Sequence, residues 1–263
     1  MLYELSSHPY SPLLATFFWS LFIILSGHLI IFRLRIFETL LKAPIVPPFS
    51  GIPATLFAFL MAFMASTAWQ NISLARTSLV NEHASLSRLA AIPISSSGEK
   101  EKMQSELRQY LTVVLNEEWK LRYNESASAE ASRALESLTI GIWNISGDCQ
   151  KGITPLSGCT SDLAVSNYLK ALDDLRIARD QRLSLAFQGT LRLRWMLAIA
   201  LALATALAIA AIHRTSARTS AICLGIYGLS IWITFAMVAL HIQPYRGPDA
   251  LLPIVLEELL SKI

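Results

Sequence analysis

The chain has 263 residues, of which 53% are hydrophobic and only 16% charged, with a net charge of +3. A soluble domain carries about a quarter of its residues as charges, so this deficit, which is unevenly distributed, excludes an ordinary soluble globule. No basic block is present and the aromatics sit mostly in apolar runs, which argues against a nucleic-acid partner.

The N-terminal section, residues 1–70, holds two apolar runs without Asp, Glu, Lys or Arg: Pro12 to Phe32 and Ile52 to Trp69. Each is long enough to cross a bilayer, which takes about 20 residues of helix. The first reads as a span and not a signal peptide, because no positive stretch precedes it and no small-residue cleavage site follows. A polar section, residues 71–194, holds most of the charge and reads helical throughout. Its first helix, with Leu74, Leu79, Leu86 and Leu89, continues span two without a break until Pro93 and the "SSSG" at 95–98 end it. The second helix is "EKEKMQSELRQYLTVVLNEEWKLRY", with Met103, Leu107, Tyr110, Leu111, Val114 and Leu115 on one face. "SAEASRALESLTIGIW" is the third, and Ser161 and Asp162 offer an N-cap to the fourth, which runs toward span three. Residues 195–240 carry spans three (Trp195 to Ile212) and four (Ser220 to Leu240). Residues 241–263 form a Pro/Gly turn and a short amphipathic helix with Leu256, Leu259 and Leu260. The fold class is all-α: four membrane helices with a helical extramembrane domain between spans two and three.

Trp69 and Trp195 stand at span ends, as interfacial anchors do. Arg33, Arg35 and Lys42 fall between spans one and two, and Arg214 and Arg218 between spans three and four. Short loops dominate orientation. The charges therefore lean toward short loops inside and the helical domain extracytoplasmic, against the pull of Arg76, Arg182, Arg192, Arg194 and Arg246. Cys149 and Cys159 flank "CQKGITPLSGC" and are either a local disulfide in an oxidising space or two free thiols; with Cys223 they make no zinc pattern. Asn71, Asn124 and Asn144 open glycosylation sequons, a motif common by chance.

In span two, Thr55, Phe59, Phe63 and Thr67 stand at i, i+4, i+8 and i+12, one above another. Such a row can form the hydrophobic constriction of a pore, or it can pack against other spans or lipid. Span three places Ala198, Ala202, Ala206 and Ala210 on one line and Ala200, Ala204 and Ala208 on another. These lines, like Gly225 and Gly228 in span four, serve close helix packing. No span contains a central ionisable residue except His28, near the end of span one, which reads as capping or interfacial; coupled carriers usually put a carboxylate or a charged pair inside the bilayer, and its absence argues against one. In the polar section Glu82, Glu117 and Glu118 face a stripe of Arg176, Arg179 and Arg182. A buried ion-pair network of Glu82, Glu118, Arg179 and Arg182, or an anion-collecting vestibule, accounts for them. No nucleophile elbow, HExxH, P-loop or GxGxxG occurs, so no catalytic residue, metal or cofactor is assigned and an enzyme is not expected.

The order "FAFLMAF", "LVNEHASLSRL", "NEEW", "LRIARDQRL" and "QPYRG", from about Pro44 to Gly247, resembles the bestrophin-like family of bacterial membrane proteins. Bestrophins are pentameric anion channels with four spans per subunit and a neck lined by apolar and aromatic residues of the second span. The resemblance implies a multi-pass protein of the bacterial inner membrane, a homo-oligomer in the lipid bilayer, small inorganic anions as its cargo, and Phe59 and Phe63 as neck residues. "QPYRG" looks like the start of the bestrophin calcium clasp, but the acidic run that follows it there is missing, with only Asp249 near. Bestrophins also keep the helical domain in the cytoplasm, whereas the loop charges here lean the other way. Two readings follow. One is a passive anion pore along an axis lined by span two, with Thr55 and Thr67 offering hydroxyls to the ion and Arg76 raising local anion concentration. The other is a non-conducting scaffold or accessory subunit of a larger membrane complex.

Overall fold

The computed structural model describes residues 11–32, 50–94, 97–150, 160–186, 192–246 and 250–263, and those residues contain helices and turns but no strand. In chain order the helices are α1 (Ser11–Phe32), α2 (Gly51–Ala91), α3 (Ser97–Val113), a π-helical stretch (Val114–Leu121), α4 (Ala129–Gln150), α5 (Asp162–Ala186), α6 (Arg192–Ile212), α7 (Ala217–His241) and α8 (Ile254–Lys262). They form two compact units: residues 1–72 with 189–250, and residues 73–188 with 251–263. The 41-residue α2 contributes to both. It has no proline or glycine after Pro53, so nothing in its sequence interrupts the hydrogen-bond ladder.

In the first unit, α1, α6, α7 and the first half of α2 are each long and apolar enough to cross a membrane. Several of their hydroxyls are bonded back to their own helix, which suits a bilayer: Thr16 Oγ1 donates to the carbonyl of Pro12 at 2.9 Å and Ser20 Oγ to that of Phe17 at 2.8 Å. α1 packs on α6 and α7. A Cβ added at Gly27 would stand 3.1 Å from Ala206 Cβ and 3.4 Å from its backbone carbonyl carbon, so Gly27 is what lets α1 and α6 approach. A Cβ at Gly228 would overlap Ile24, whereas one at Gly225 meets open space. Of the two glycines expected to serve packing, only Gly228 has a neighbour against it. Ala198, Ala202, Ala206 and Ala210 are fully buried; of the second alanine line only Ala208 is, while Ala200 and Ala204 are exposed. Phe57, Met61 and Met64 of α2 join Ile23, Leu224, Ile231 and Phe235 in this core, with Phe57 and Trp195 both against the Phe235 ring at 5.8 and 5.4 Å. Trp232 donates from Nε1 to the Leu13 carbonyl at 3.4 Å.

The second unit is built on Leu86, Leu107, Tyr110, Leu111, Val114, Leu138, Ile142, Tyr168, Leu172 and Leu175, all essentially inaccessible. Gly141 of α4 lies against the Met103 sulfur of α3. Serine caps open two of its helices. Ser128 Oγ accepts from the amides of Glu130 and Ala131 at 3.1 and 3.2 Å, and Ser161 Oγ accepts from Ala164 at 3.2 Å. The second predicted helix departs from a uniform α-helix. Val114–Leu121 wind as π-helix, and the chain then leaves through Tyr123 and Asn124, both at positive φ (48° and 61°). Asn tolerates that conformation; Tyr does so rarely. In α8 Leu256 and Leu259 are buried and Leu260 is half-buried.

Candidate functional site

Two constellations carry chemistry, one in each unit. In the first, α2 presents opposite faces to different surroundings. Phe57, Met61, Met64 and Ala68 are buried, while Phe59 and Phe63 are 61% and 71% exposed. Thr55 is exposed with them, and Thr67 is half-buried. Among the described residues, the row Thr55–Phe59–Phe63–Thr67 therefore lies on the more exposed side of α2, with Ser66 and Gln70 beside its C-terminal end. Both threonine protons are engaged: Thr55 Oγ1 donates to the Gly51 carbonyl at 2.7 Å and Thr67 Oγ1 to that of Phe63 at 2.9 Å. A hydroxyl offered to an ion must first leave that bond. His28, inside α1, stacks on Phe32 with centroids 4.7 Å apart. Arg76 is exposed on α2.

In the second unit, Glu82, Glu118, Arg179 and Arg182 come together. Arg182 grips Glu82 with two parallel bonds, Nε to Oε2 at 2.7 Å and Nη2 to Oε1 at 3.1 Å, and reaches Glu118 Oε2 from Nη2 at 2.8 Å. Arg179 grips the other edge of Glu118, Nη2 to Oε1 at 2.5 Å and Nε to Oε1 at 3.1 Å. The sequence gives no local signal for the remaining members. Tyr110 donates to Glu82 at 3.4 Å, the Ser128 amide donates to Glu118 at 2.9 Å, Asn124 Oδ1 accepts from Arg182, and the Ser128 carbonyl and Ser132 hydroxyl accept from Arg179. The Trp119 ring lies 5.4 Å from the Arg182 guanidinium. Two charges of each sign cancel, and all four charged side chains are buried.

The arrangement holds both signs in their charged forms. Burial works to raise the Glu118 carboxyl, but the Arg179 hydrogen bond and the charges of Arg182 and Arg179 outweigh it and hold it below the usual carboxylate range. Burial works to lower Arg179 and Arg182; the bonds and charges of Glu118 and Glu82 override it and raise both. Tyr110 is pushed well up, by burial first and then by the Glu82 charge. Two residues of the expected facing set stand outside the network. Arg176 instead donates to Thr139 Oγ1 at 2.8 Å, and Glu117 accepts from Ser128 Oγ at 2.6 Å and pairs with Arg122 at 3.5 Å. The Cys149 side chain and Cys159 lie outside the described residues, as do Asp249 and the charged loop between the first two spans. Asn71 and Asn124 are buried, so of the three sequons only Asn144 presents an exposed acceptor. Among the described residues no group of three His, Cys, Asp or Glu side chains is disposed to hold a metal ion.

A bestrophin-like domain matches residues 18–251 of the chain. A comparison with curated proteins finds no match. Among solved structures the fold is similar to two point-substituted forms of a bacterial bestrophin homolog from Klebsiella pneumoniae. One has 14% identity and a TM-score of 0.61 over 97% of this chain and 96% of the other. The second has 13% identity and a TM-score of 0.62 over 97% and 94%. A structure described only as a membrane protein is similar at 14% identity and a TM-score of 0.61, over 95% of each chain. Four helices apolar enough to span a bilayer, a buried alanine seam between them and a family match over most of the length identify an integral membrane protein, and the chain belongs to the bestrophin-like family.

Proposed function

We propose that the chain is one subunit of an oligomeric, passive anion pore whose axis is lined by copies of α2. The observation that carries this reading is the two-faced character of that helix. Phe57, Met61 and Met64 fill the subunit's own core, and the Thr55–Phe59–Phe63–Thr67 row is left for something outside the subunit. α1 and α7 also expose apolar faces, with Phe17, Phe18, Leu25, Ile226, Leu229 and Ile233. Those faces suit lipid. The α2 face interleaves threonines with its rings and runs into Ser66 and Gln70, which suits a water-containing path better than acyl chains. Aromatic edges carry partial positive charge, so a ring of Phe59 and Phe63 edges favours an anion over a cation. Membership of the bestrophin-like family supports the same reading, a pentamer included. Arg76, exposed beyond Trp69, would concentrate anions near the path.

The test is chloride flux from liposomes carrying the purified protein, with Phe63→Ala alongside. Flux that changes with Phe63→Ala supports the pore. No flux from a folded, inserted preparation moves the row to a docking role for another protein's helix, the accessory-subunit reading. A cysteine placed at Ser97 settles the side from which ions enter. Labelling in intact cells by an impermeant maleimide puts the helical unit outside, as the loop charges favour. Labelling only after permeabilisation puts it in the cytoplasm, as in bestrophins.

A further inference from the structure

The turn between α6 and α7 brings a thiol and an imidazole together in a fixed relation that neither the pore nor the buried ion-pair network uses. His213 follows the last residue of α6, and Cys223 lies on the second turn of α7, ten residues later. The turn is tightly bonded. The Ser216 amide donates to the His213 carbonyl at 3.0 Å, the Ser216 hydroxyl accepts from the Thr219 amide at 3.3 Å to cap α7, and the Ser220 amide donates to the Ser216 carbonyl at 3.0 Å. This places Cys223 Sγ 3.8 Å from His213 Nε2.

The other ring nitrogen decides the chemistry. His213 Nδ1 lies 2.9 Å from the Ile209 carbonyl oxygen. A carbonyl can only accept, so Nδ1 carries the proton. In the neutral ring Nε2 is then the unprotonated nitrogen, and its lone pair is the atom facing the thiol. A thiol, a base within reach and a third group fixing the base's tautomer are the parts from which a reactive cysteine is built. His241 makes the same bond to the carbonyl four residues back, Nδ1 to Met237 at 2.7 Å, but has no thiol on its far side among the described contacts. Cys223 is free and partly exposed on α7, five residues after Arg218 and nine after Arg214. Reactive cysteines occupy such partly exposed, electropositive settings, whereas buried structural ones are inert.

We propose that Cys223 is a modification site, a nucleophilic thiol served by His213 as its base, whose co-reactant is a low-molecular-weight disulfide. Nε2 takes the thiol proton as Sγ attacks one sulfur of the disulfide. The S–S bond breaks, a mixed disulfide forms on Cys223, and the departing thiolate collects the proton from the imidazolium. One thiol and one disulfide give one mixed disulfide and one thiol, so no further oxidant enters. The modification sets a polar group one turn inside the start of span four and removes the imidazole's partner, so its effect is local to the α6–α7 turn.

The experiment follows mixed-disulfide formation with oxidised glutathione at neutral pH, on the detergent-purified full chain carrying Cys149→Ser and Cys159→Ser, read by mass spectrometry of the Cys223 peptide. The folded protein is expected to react on the order of tenfold faster than the same chain denatured, and His213→Gln is expected to lose that advantage. Gln can still donate to the Ile209 carbonyl but cannot take the thiol proton, so a folded His213→Gln protein isolates the base from the turn. Should that variant not fold, the folded-to-denatured ratio of the parent decides alone. A ratio of one or less, or a His213→Gln protein as fast as the parent, overturns the proposal.

Discussion

Arg182 and Glu82, one hundred residues apart in the chain, form a two-bond pair in which neither side chain has any solvent exposure. A pair so buried is not a reservoir of stability relative to apolar residues, because desolvation offsets the attraction. Its force lies in what happens when one partner goes. Among the described residues, Arg182→Met leaves Glu82 without a charged partner and takes from Glu118 one of its two. The expected loss is about 3–5 kcal/mol, seen as a lower unfolding temperature of the detergent-solubilised protein. Arg182→Lys should not rescue it, since an ammonium cannot reproduce the fork that meets both oxygens of Glu82 and reaches Glu118 as well. A double variant, Glu82→Gln with Arg182→Met, should be less unstable than the two single losses added together. Strict additivity would mean the pair is not coupled.

Glu118 gives the network a pH dependence with a definite sign. Its carboxyl is held below the usual range in the folded protein, so the unfolded chain binds that proton more readily. The stabilisation from this group is complete above the unfolded value, about 4.3, and is lost as pH falls through the folded one. The arginines, raised above their ordinary value, keep their contribution at every pH below about 12 and add nothing to the acid limb. Unfolding temperature should therefore drop below about pH 4. Glu118→Gln should be less stable at neutral pH and show a shallower acid limb. An equally steep limb in the variant would assign the dependence to other carboxylates.

Gly27 and Gly225 make a matched pair for the membrane helices. A side chain at Gly27 runs into Ala206, whose Cβ would stand 3.1 Å from the added Cβ, while Gly225 faces open space. Overpacking of this kind costs about 1–3 kcal/mol. Gly27→Leu should lower the unfolding temperature and Gly225→Leu should leave it near the parent value. Equal effects would mean that α1 and α6 can part without cost.

The elements were legible in the sequence to the extent that local rules govern them. Charge-free runs of spanning length give the four membrane helices, the stretch without helix breakers from Pro53 to Pro93 gives an unbroken α2, and Ser161 gives a cap. The π-helical stretch was not legible. Val114, Leu115, Glu118 and Trp119 fall inward on an α-helix as well; the wider winding shows in bonds such as that from the Arg122 amide to the carbonyl of Glu117, five residues back. The stripe of Arg179 and Arg182 could be read from spacing, but Asn124 and Ser128 enter the network through a loop at positive φ, which has no periodicity to read. The His213–Cys223 contact crosses a turn and was likewise invisible to helix-face arguments. For α2 the spacing gives the row of rings, but not which face its neighbours bury. That depends on where α6 and α7 lie, and the chain places Phe57 rather than Phe59 against Phe235.

That division between Phe57 and Phe63 yields the sharpest prediction for function. Phe57 is 8% exposed and packed on Phe235 at 5.8 Å; Phe63 is 71% exposed. Truncating a buried phenylalanine costs about 3–5 kcal/mol, so Phe57→Ala should destabilise the subunit. Phe63 has little of its own chain to lose, and Phe63→Ala should leave the unfolding temperature of a dissociated subunit nearly unchanged. The pore reading predicts the opposite ranking for flux. Phe63→Ala widens an apolar constriction and eases its wetting, so chloride flux per inserted protein should rise several-fold, while Phe57→Ala should lower the inserted amount without raising flux per copy. Flux scored against reconstituted protein separates the two effects. If Phe63→Ala leaves flux unaltered while disrupting an oligomer on size exclusion, the row is a contact between chains and the ion path lies elsewhere.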